Sequence, residues 1–471
     1  MRSGRGRIWL SGILVWLVAL GGFAFADEVN FRAGAAKILI TPEVPMWMSG
    51  YGSRNHPAEG KATELWAKAL VFEGKEKQKL CLITLDLVGI DRELSSQICK
   101  RLEAEHGLSR AQVAINCSHT HSGPVVGKNL AAMTYMQFDQ TQQQLVDRYA
   151  KWLEDRVVAV VKEAHEKMAP AQLQYACGKT SFAVNRRTNV EAEVPAQRAL
   201  GRLKGPVDHS VPVLAVRSPE GKLLAVTYGY ACHATVVSFY DWSGDYPGYC
   251  QMELDKVYPD AVNLFWAGCG ADQNPLPRRS VELSQGYGKQ LAGTVQSVLA
   301  GPMQTLSGNL SASYGEVEIG FAHVPDKAEL EKDAANSDKF IAARAKLMLL
   351  GLETGKPVRT SYPYPVGMWK LGSNQEGQGL TWVFLGGEVV VDFALRLPHD
   401  LHPQPVTGTA QGPATWIAGY SNDVMAYIPS RRVLNEGGYE GATAMIYYGL
   451  PSAWAGDVEE KIVAEAVRQG K

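Results

Sequence analysis

The sequence predicts an α/β fold, with mixed β-sheets flanked by helices in a single large domain. Three observations lead there. Apolar runs of strand length alternate with amphipathic stretches of helix length along the chain. The strand-like runs are apolar almost without interruption, as expected of sheets covered on both faces. Composition nowhere shifts sharply enough to mark a linker, so the 471-residue chain is not divided further, although its length alone would allow two or three domains.

The elements follow in order. Arg2, Arg5 and Arg7 precede the apolar "IWLSGILVWLVALGGFAF", and "AFA" ends at Ala26 before Asp27. This is the pattern of a signal peptide over residues 1–26, leaving 27–471 as a periplasmic or secreted domain. The alternative, a retained membrane anchor, is disfavoured because Ser11, Gly12, Gly21 and Gly22 interrupt the apolar run. No later stretch approaches the ~20 apolar residues that span a bilayer.

Strands are expected at 36–40, 68–74, 80–89, 112–117, 172–177, 211–216, 223–232, 262–268 and 380–387. Helices are expected at 91–107, 141–168, 246–258, 281–300, 326–352 and 457–470. In 141–168 the apolar positions Leu145, Tyr149, Leu153, Val157 and Val161 recur every four residues and form one helical stripe.

Forty-seven basic against 48 acidic residues give a net charge of −1, which argues against a nucleic-acid partner. Seven cysteines, an odd count, leave at least one thiol unpaired. No CxxC pair occurs, and Cys117, Cys232 and Cys269 in apolar surroundings read as core residues rather than thiolate ligands.

The chemistry starts at "NCSHTHSGP" (116–124), which closes an apolar run. Residues i and i+2 of a strand share a face, so His119 and His121 are expected to look into one cleft, as metal binding or acid–base catalysis would require. The plainer alternative is a pair of hydrogen-bonded residues in a turn. His233 in "GYACHATVV" ends another strand-like run, a place where a structural histidine is equally common. A catalytic zinc site takes about three protein ligands and one open position. Glu388 in "FLGGEVV" is a candidate carboxylate, since an acid buried at a strand end without a partner is costly. The Gly-rich "FWAGCGADQNP" (265–275) offers backbone N–H groups to an oxyanion.

Taken together, "GAAKILITP", "ELWAKALVFEG", "HTHSGP" and "AGYSNDVMAYIPSRRVLNEGGYEGAT" resemble the neutral (alkaline, non-lysosomal) ceramidase family, zinc amidases that hydrolyse the N-acyl bond of sphingolipids. The resemblance implies Zn2+ held by His119, His233, Glu388 and Tyr427 of "MAYIPS". It implies that His121 lines the pocket and that Arg186 of "AVNRRT" lies near the scissile carbonyl. It leaves Asp245 of "GDYPGY" at most behind the ligands. The implied partner is a small-molecule or lipid amide, with peripheral contact to a lipid surface left open.

Two departures stand out. Where the family carries a serine in "GDVSP", this chain has Asn274 in "DQNP". An amide cannot be an acylated nucleophile, so the expected route uses metal-activated water, with Asn274 donating to the oxyanion and His121 moving the proton. Ceramidases also carry a C-terminal β-sandwich, and this sequence ends at Lys471, soon after Gly441. Both departures bear on substrate choice, which leaves other amides or esters open. A binding protein that keeps the zinc site without turnover is a further alternative, as is an amidohydrolase barrel using "HTH" as its metal motif. The barrel is disfavoured because at least three strand-like segments precede the motif.

Overall fold

The computed structural model describes Met1 and residues 31–372, 379–402 and 414–471. The expected signal peptide therefore lies, Met1 apart, outside the described residues. The chain builds the expected α/β architecture, with helices laid on mixed sheets. Among the described residues no helix is long and apolar enough to cross a membrane.

The central sheet runs in the order Val262–Ala267, Leu223–Tyr230, Ser210–Arg217, Ala169–Lys179, Phe31–Leu39, Trp66–Glu73, Lys79–Leu85, Val113–Cys117. The inner pairings are antiparallel. At each end sits one parallel pair, Lys79–Leu85 with Val113–Cys117 and Leu223–Tyr230 with Val262–Ala267. A parallel pair needs a crossover, here supplied by helices Arg92–His106 and Asp245–Val257. Asp91 caps the first of these by accepting from Leu94 N, and Gly107 in the left-handed region ends it. Helix Gln140–Glu166 lies across strands Phe31–Leu39 and Trp66–Glu73, burying Tyr149, Leu153, Val157 and Val161 of the expected stripe.

This topology brings the two ends of the sheet together. Asn116, in one end strand, donates through Nδ2 to Ala267 O (3.3 Å) and Gly419 O (2.8 Å), and its Oδ1 accepts from Ala267 N in the other end strand (2.8 Å). Because both amide groups are spent on buried backbone, Asn116→Leu is expected to destabilise the fold by on the order of 3 kcal/mol, measured by denaturant unfolding. The loops carrying His119 and His233 leave strands near this seam, at the carboxyl ends of parallel strands where open α/β sheets place their ligands.

A second sheet joins Leu310–Gly320, Ser361–Gly372, Gly379–Leu385 and Ala414–Ala418. Trp382 stacks on Trp416 (ring centroids 4.0 Å) and meets Trp266 of the central sheet edge-on (5.2 Å), so an aromatic layer joins the two sheets.

Three expectations change. Residues 326–352 form two helices, Lys327–Ala334 and Lys339–Glu353, because Asp338 turns out of the helix and accepts from Phe340 N and Ile341 N. The long antiparallel pair Leu310–Gly320 and Ser361–Gly372 was not expected; its first strand, buried at Leu310 and Ile319 alone and exposed at Ser311, Glu316 and Glu318, reads "SYGEVEIG", with little apolar signal. The strand ending at Cys117 stops before "HTH", so its two histidines do not belong to a strand. The cysteines behave as core residues: Cys117, Cys232 and Cys269 are buried, and burial pushes each thiol well up from its usual range, against thiolate ligation.

Candidate metal centre

His119 takes a left-handed backbone, φ 60°, a conformation uncommon outside glycine. Its N–H is held by Leu87 O at 2.9 Å, and the left-handed turn brings the ring back over the sheet end. Tyr420, also left-handed at φ 50°, lays its ring against His119 with centroids 4.5 Å apart. His121 N donates to Ala234 O, which ties the two histidine loops together. Thus His119 and His121 do share one cleft, but a strained turn does what strand alternation was expected to do. Strain held in place by surrounding bonds is typical of functional sites.

Glu388 and Tyr427 arrive from the other side. After the Gly386-Gly387 turn, Glu388–Val389 pairs in parallel with Tyr427–Ile428, and the register sets Glu388 beside Tyr427. Gly387 is left-handed, and a side chain there would run into Ala426 O and Ile428.

The four side chains converge. His119 Nε2 and His233 Nε2 each lie 3.1 Å from Glu388 Oε2, and Tyr427 OH lies 3.3 Å from His233 Nε2. All four are essentially buried. His119 Nδ1 donates to Val88 O (2.6 Å) and His233 Nδ1 to Gly270 O (2.8 Å), so backbone carbonyls fix both tautomers and leave Nε2 as the lone-pair atom. Burial, reinforced by the Arg186 charge, pushes His233 down to about 4. At neutral pH its Nε2 therefore faces a carboxylate oxygen with no proton between them. Burial by itself raises the Glu388 carboxyl, so a carboxylate here needs positive charge beside it. Lone pairs crowded onto a buried carboxylate call for a cation, and the donor set of two imidazoles, a carboxylate and a phenol suits a borderline metal. His119, His121 and His233 alone present nitrogens within 4.8 Å of one another.

The remaining predicted residues gather around this core. His121 Nε2 lies 3.0 Å from His119 Nε2, and its Nδ1 is buried with no hydrogen-bond partner. Gly50, left-handed at φ 96°, passes so close that a Cβ there would overlap the His121 ring. Arg186 follows the short strand Ala183–Asn185, which pairs with Gln273–Pro275 and so brings Asn274 alongside. Its Nε donates to Glu440 (2.7 Å), Nη1 to Asn274 Oδ1 (3.3 Å) and Nη2 to Tyr427 OH (3.2 Å). Asp245 stays behind the site: its carboxylate accepts from Val237 N, Tyr246 N and Ser284 Oγ, bracing the loop after His233.

Sequence reasoning missed three contributors. Tyr448 donates a short hydrogen bond to Glu388 Oε1, leaving Oε2 for the histidines. Glu440 anchors both Arg186 and Arg187. Tyr51 packs against His121 at a tilt, with ring centroids 4.7 Å apart. Only Glu440 had a local signal, the "YEG" segment; the other two are reached through tertiary packing.

Residues 31–315 match the family model described as neutral/alkaline non-lysosomal ceramidase, N-terminal. A neutral ceramidase of Drosophila pseudoobscura pseudoobscura is 22% identical over 301 residues, covering 62% of this chain and 40% of that protein. The neutral ceramidase of Drosophila melanogaster is 22% identical over 290 residues, covering 60% of this chain and 38% of the relative. The chain thus spans about two fifths of the length of these curated relatives. In fold it is similar to the crystal structure of neutral ceramidase from Pseudomonas aeruginosa, with a TM-score of 0.71 at 18% identity, over 94% of this chain and 75% of that one. A ceramidase complexed with C2 gives a TM-score of 0.72 at 17% identity, with the same coverage. With more than half of its residues under the family model, this chain belongs to the neutral/alkaline non-lysosomal ceramidase, N-terminal family.

Proposed function

We propose that the chain is an exported zinc-dependent amidohydrolase that cleaves an N-acyl amide, a ceramide-like lipid being the first substrate class to try. The observation that carries this reading is the pair of buried Nε2 lone pairs, each 3.1 Å from Glu388 Oε2, with both Nδ1 protons committed to backbone. His119, His233, Glu388 and Tyr427 hold the zinc. Bound there, zinc supplies an acidified water and polarises the scissile carbonyl.

The chain's own residues do the rest. Arg186, kept charged by Glu440 and Tyr427 in spite of burial, holds the Tyr427 oxygen and Asn274 in place. Asn274 turns its amide N–H₂ toward the developing oxyanion. His121 is kept neutral by burial, and with Nδ1 unpaired and Nε2 3.0 Å from His119 Nε2 it is placed beside the reacting groups to relay a proton to the leaving amine. The exposed Tyr439, 5.2 Å from Tyr427 by ring centroids, marks the side from which substrate arrives.

The test is elemental analysis of residues 27–471 alongside assays on N-acyl amides and esters. One zinc per chain with chelator-sensitive amide hydrolysis is the expected result. Zinc without turnover of any acyl substrate would favour the binding-protein reading, and absence of bound metal would overturn both.

The Tyr448 hydrogen bond gives a finer prediction. Tyr448→Phe keeps the ring but frees Glu388 Oε1. Zinc affinity is expected to fall by roughly 10–100-fold, the usual effect of removing a partner of a metal ligand. Competition with a chromophoric chelator measures this directly.

A further inference from the structure

Lys68 is 2% exposed in strand Trp66–Glu73, a depth at which lysine is almost never found unless paired with a counter-ion. Its Nζ donates to Asn263 O at 2.7 Å and lies 3.4 Å from Asn263 Oδ1. Asp86 and Asp255 attract the charge, but each is engaged elsewhere. Asp255 pairs with Lys37 at 2.9 Å, and Asp86 accepts from Trp66 N and Gln251 Nε2. Against their pull, burial brings the Lys68 amine down to about 8, so at neutral pH part of it is the free amine, a nucleophile.

Asn263, also 2% exposed, belongs to strand Val262–Ala267. Four strands lie between the two in the order of the central sheet, so they meet only because that sheet closes on itself. Asn263 Nδ2 donates to Asp255 Oδ1 at 2.5 Å and to Gln251 O at 3.3 Å. The carboxamide is thus held from both ends, with an amine beside its oxygen and a carboxylate on its nitrogen. Its carbon, Cγ, is one bond from the oxygen that Nζ already touches. Two reactants fixed this closely in a dry site have most of the entropy of their encounter already removed. The product is also favoured, because an ammonium buried without a counter-ion is costly and an amide there carries no charge.

We propose that Lys68 and Asn263 become joined by an isopeptide bond, Nζ to Cγ, which the folded chain forms by itself. The free amine adds to Cγ, the Cγ–Nδ2 bond breaks, a proton passes from Nζ to Nδ2 by way of Asp255, and one ammonia leaves. One C–N bond replaces another, so no oxidant, reductant or co-reactant is needed. Asp255, its side chain 37% exposed, stands between the pair and solvent and marks the way out for ammonia. The bond ties together positions 195 residues apart and clamps the closed sheet beneath the metal centre. It does not depend on the zinc assignment.

Mass spectrometry of residues 27–471, unfolded and with thiols reduced, tests it. The chain is expected to be lighter than its sequence by one ammonia, about 17 Da, and to yield on digestion a branched peptide linking Lys68 to Asn263. Lys68→Met, similar in length and without the amine, should show its full sequence mass and unfold at lower denaturant concentration. Asp255→Asn should slow bond formation by roughly 10²-fold, read as an unjoined fraction in protein sampled soon after synthesis. Wild-type protein at full sequence mass, both fresh and after prolonged storage, would overturn the proposal. A loss of ammonia that persists in Lys68→Met would overturn it as well, by placing the reaction elsewhere. The mass and the branched peptide are read on the wild-type chain, so the outcome stands even where a variant fails to fold.

Discussion

Glu388→Ala is expected to yield a folded protein that retains no zinc and hydrolyses N-acyl amides at least ~10³-fold more slowly, a loss on the scale of removing an oxyanion-hole donor or greater. The expectation follows from how much converges on one carboxylate. Oε2 is the atom on which both histidine Nε2 atoms close, at 3.1 Å each, and Oε1 is fixed by Tyr448. Removing it leaves two imidazoles and a phenol with no anion to balance a divalent cation. Folding should survive, because the pairing of Glu388–Val389 with Tyr427–Ile428 is made by backbone rather than by the carboxylate. Glu388→Gln is the sharper variant: it keeps shape and hydrogen-bonding capacity but turns an anion into an amide, so charge alone is tested. Zinc measured by mass spectrometry at one equivalent in both variants would remove Glu388 from the ligand set, and with it the proposed site.

How much of this centre was legible beforehand depended on how local each signal was. "HTHSGP" carries two histidines and its own turn, so His119 and His121 could be paired by inspection, although the left-handed backbone that aims His119 has no signature in composition. His233 and Glu388 could be suspected singly from their strand ends. That they meet is a property of the sheet closing on itself through Asn116 and of the register between Glu388–Val389 and Tyr427–Ile428. Residues separated by 155 positions, as His233 and Glu388 are, leave no local pattern. Their assembly came from the family resemblance. The same holds for choosing Tyr427 among crowded tyrosines: Tyr420 packs a ring face on His119 and Tyr448 supports Glu388, while Tyr427 OH reaches His233. In the fold, apolar strands buried on both faces were legible as sheet. Leu310–Gly320 was not, because a strand partly exposed on both faces and without a run of branched residues gives little periodic contrast. The helix expected over 326–352 failed where Asp338 offers its carboxylate to the following N–H groups and restarts the helix.

Asn274→Ala is expected to lower kcat by roughly 10²–10³-fold while leaving zinc content and fold unchanged, which is the range for loss of one oxyanion donor. The geometry makes the amide orientation definite. Asn274 Oδ1 lies 3.3 Å from Arg186 Nη1, and arginine has no acceptor, so the carbonyl oxygen faces the guanidinium. Nδ2 is then the end free to donate toward the carbonyl being attacked. Pairing between Gln273–Pro275 and Ala183–Asn185 holds the residue from its backbone, so truncating the side chain should not move the strand. Asn274→Ser separates two chemistries. If a hydroxyl at this position, such as the family resemblance implies, acts as a nucleophile, serine should restore or exceed wild-type kcat and trap an acyl-enzyme visible by intact mass. If the position stabilises an oxyanion, serine should fall between asparagine and alanine and form no adduct. Asn274→Asp sets a carboxylate where negative charge develops and should be the least active of the three. A kcat for Asn274→Ala within about threefold of wild type would leave the oxyanion to other donors, since effects that small do not identify a transition-state contact. Those donors would not be the N–H groups of Gly268, Gly270 and Ala271, which the Gly-rich turn was expected to offer but which are already spent on the carbonyls of Tyr230, Gly268 and Val389.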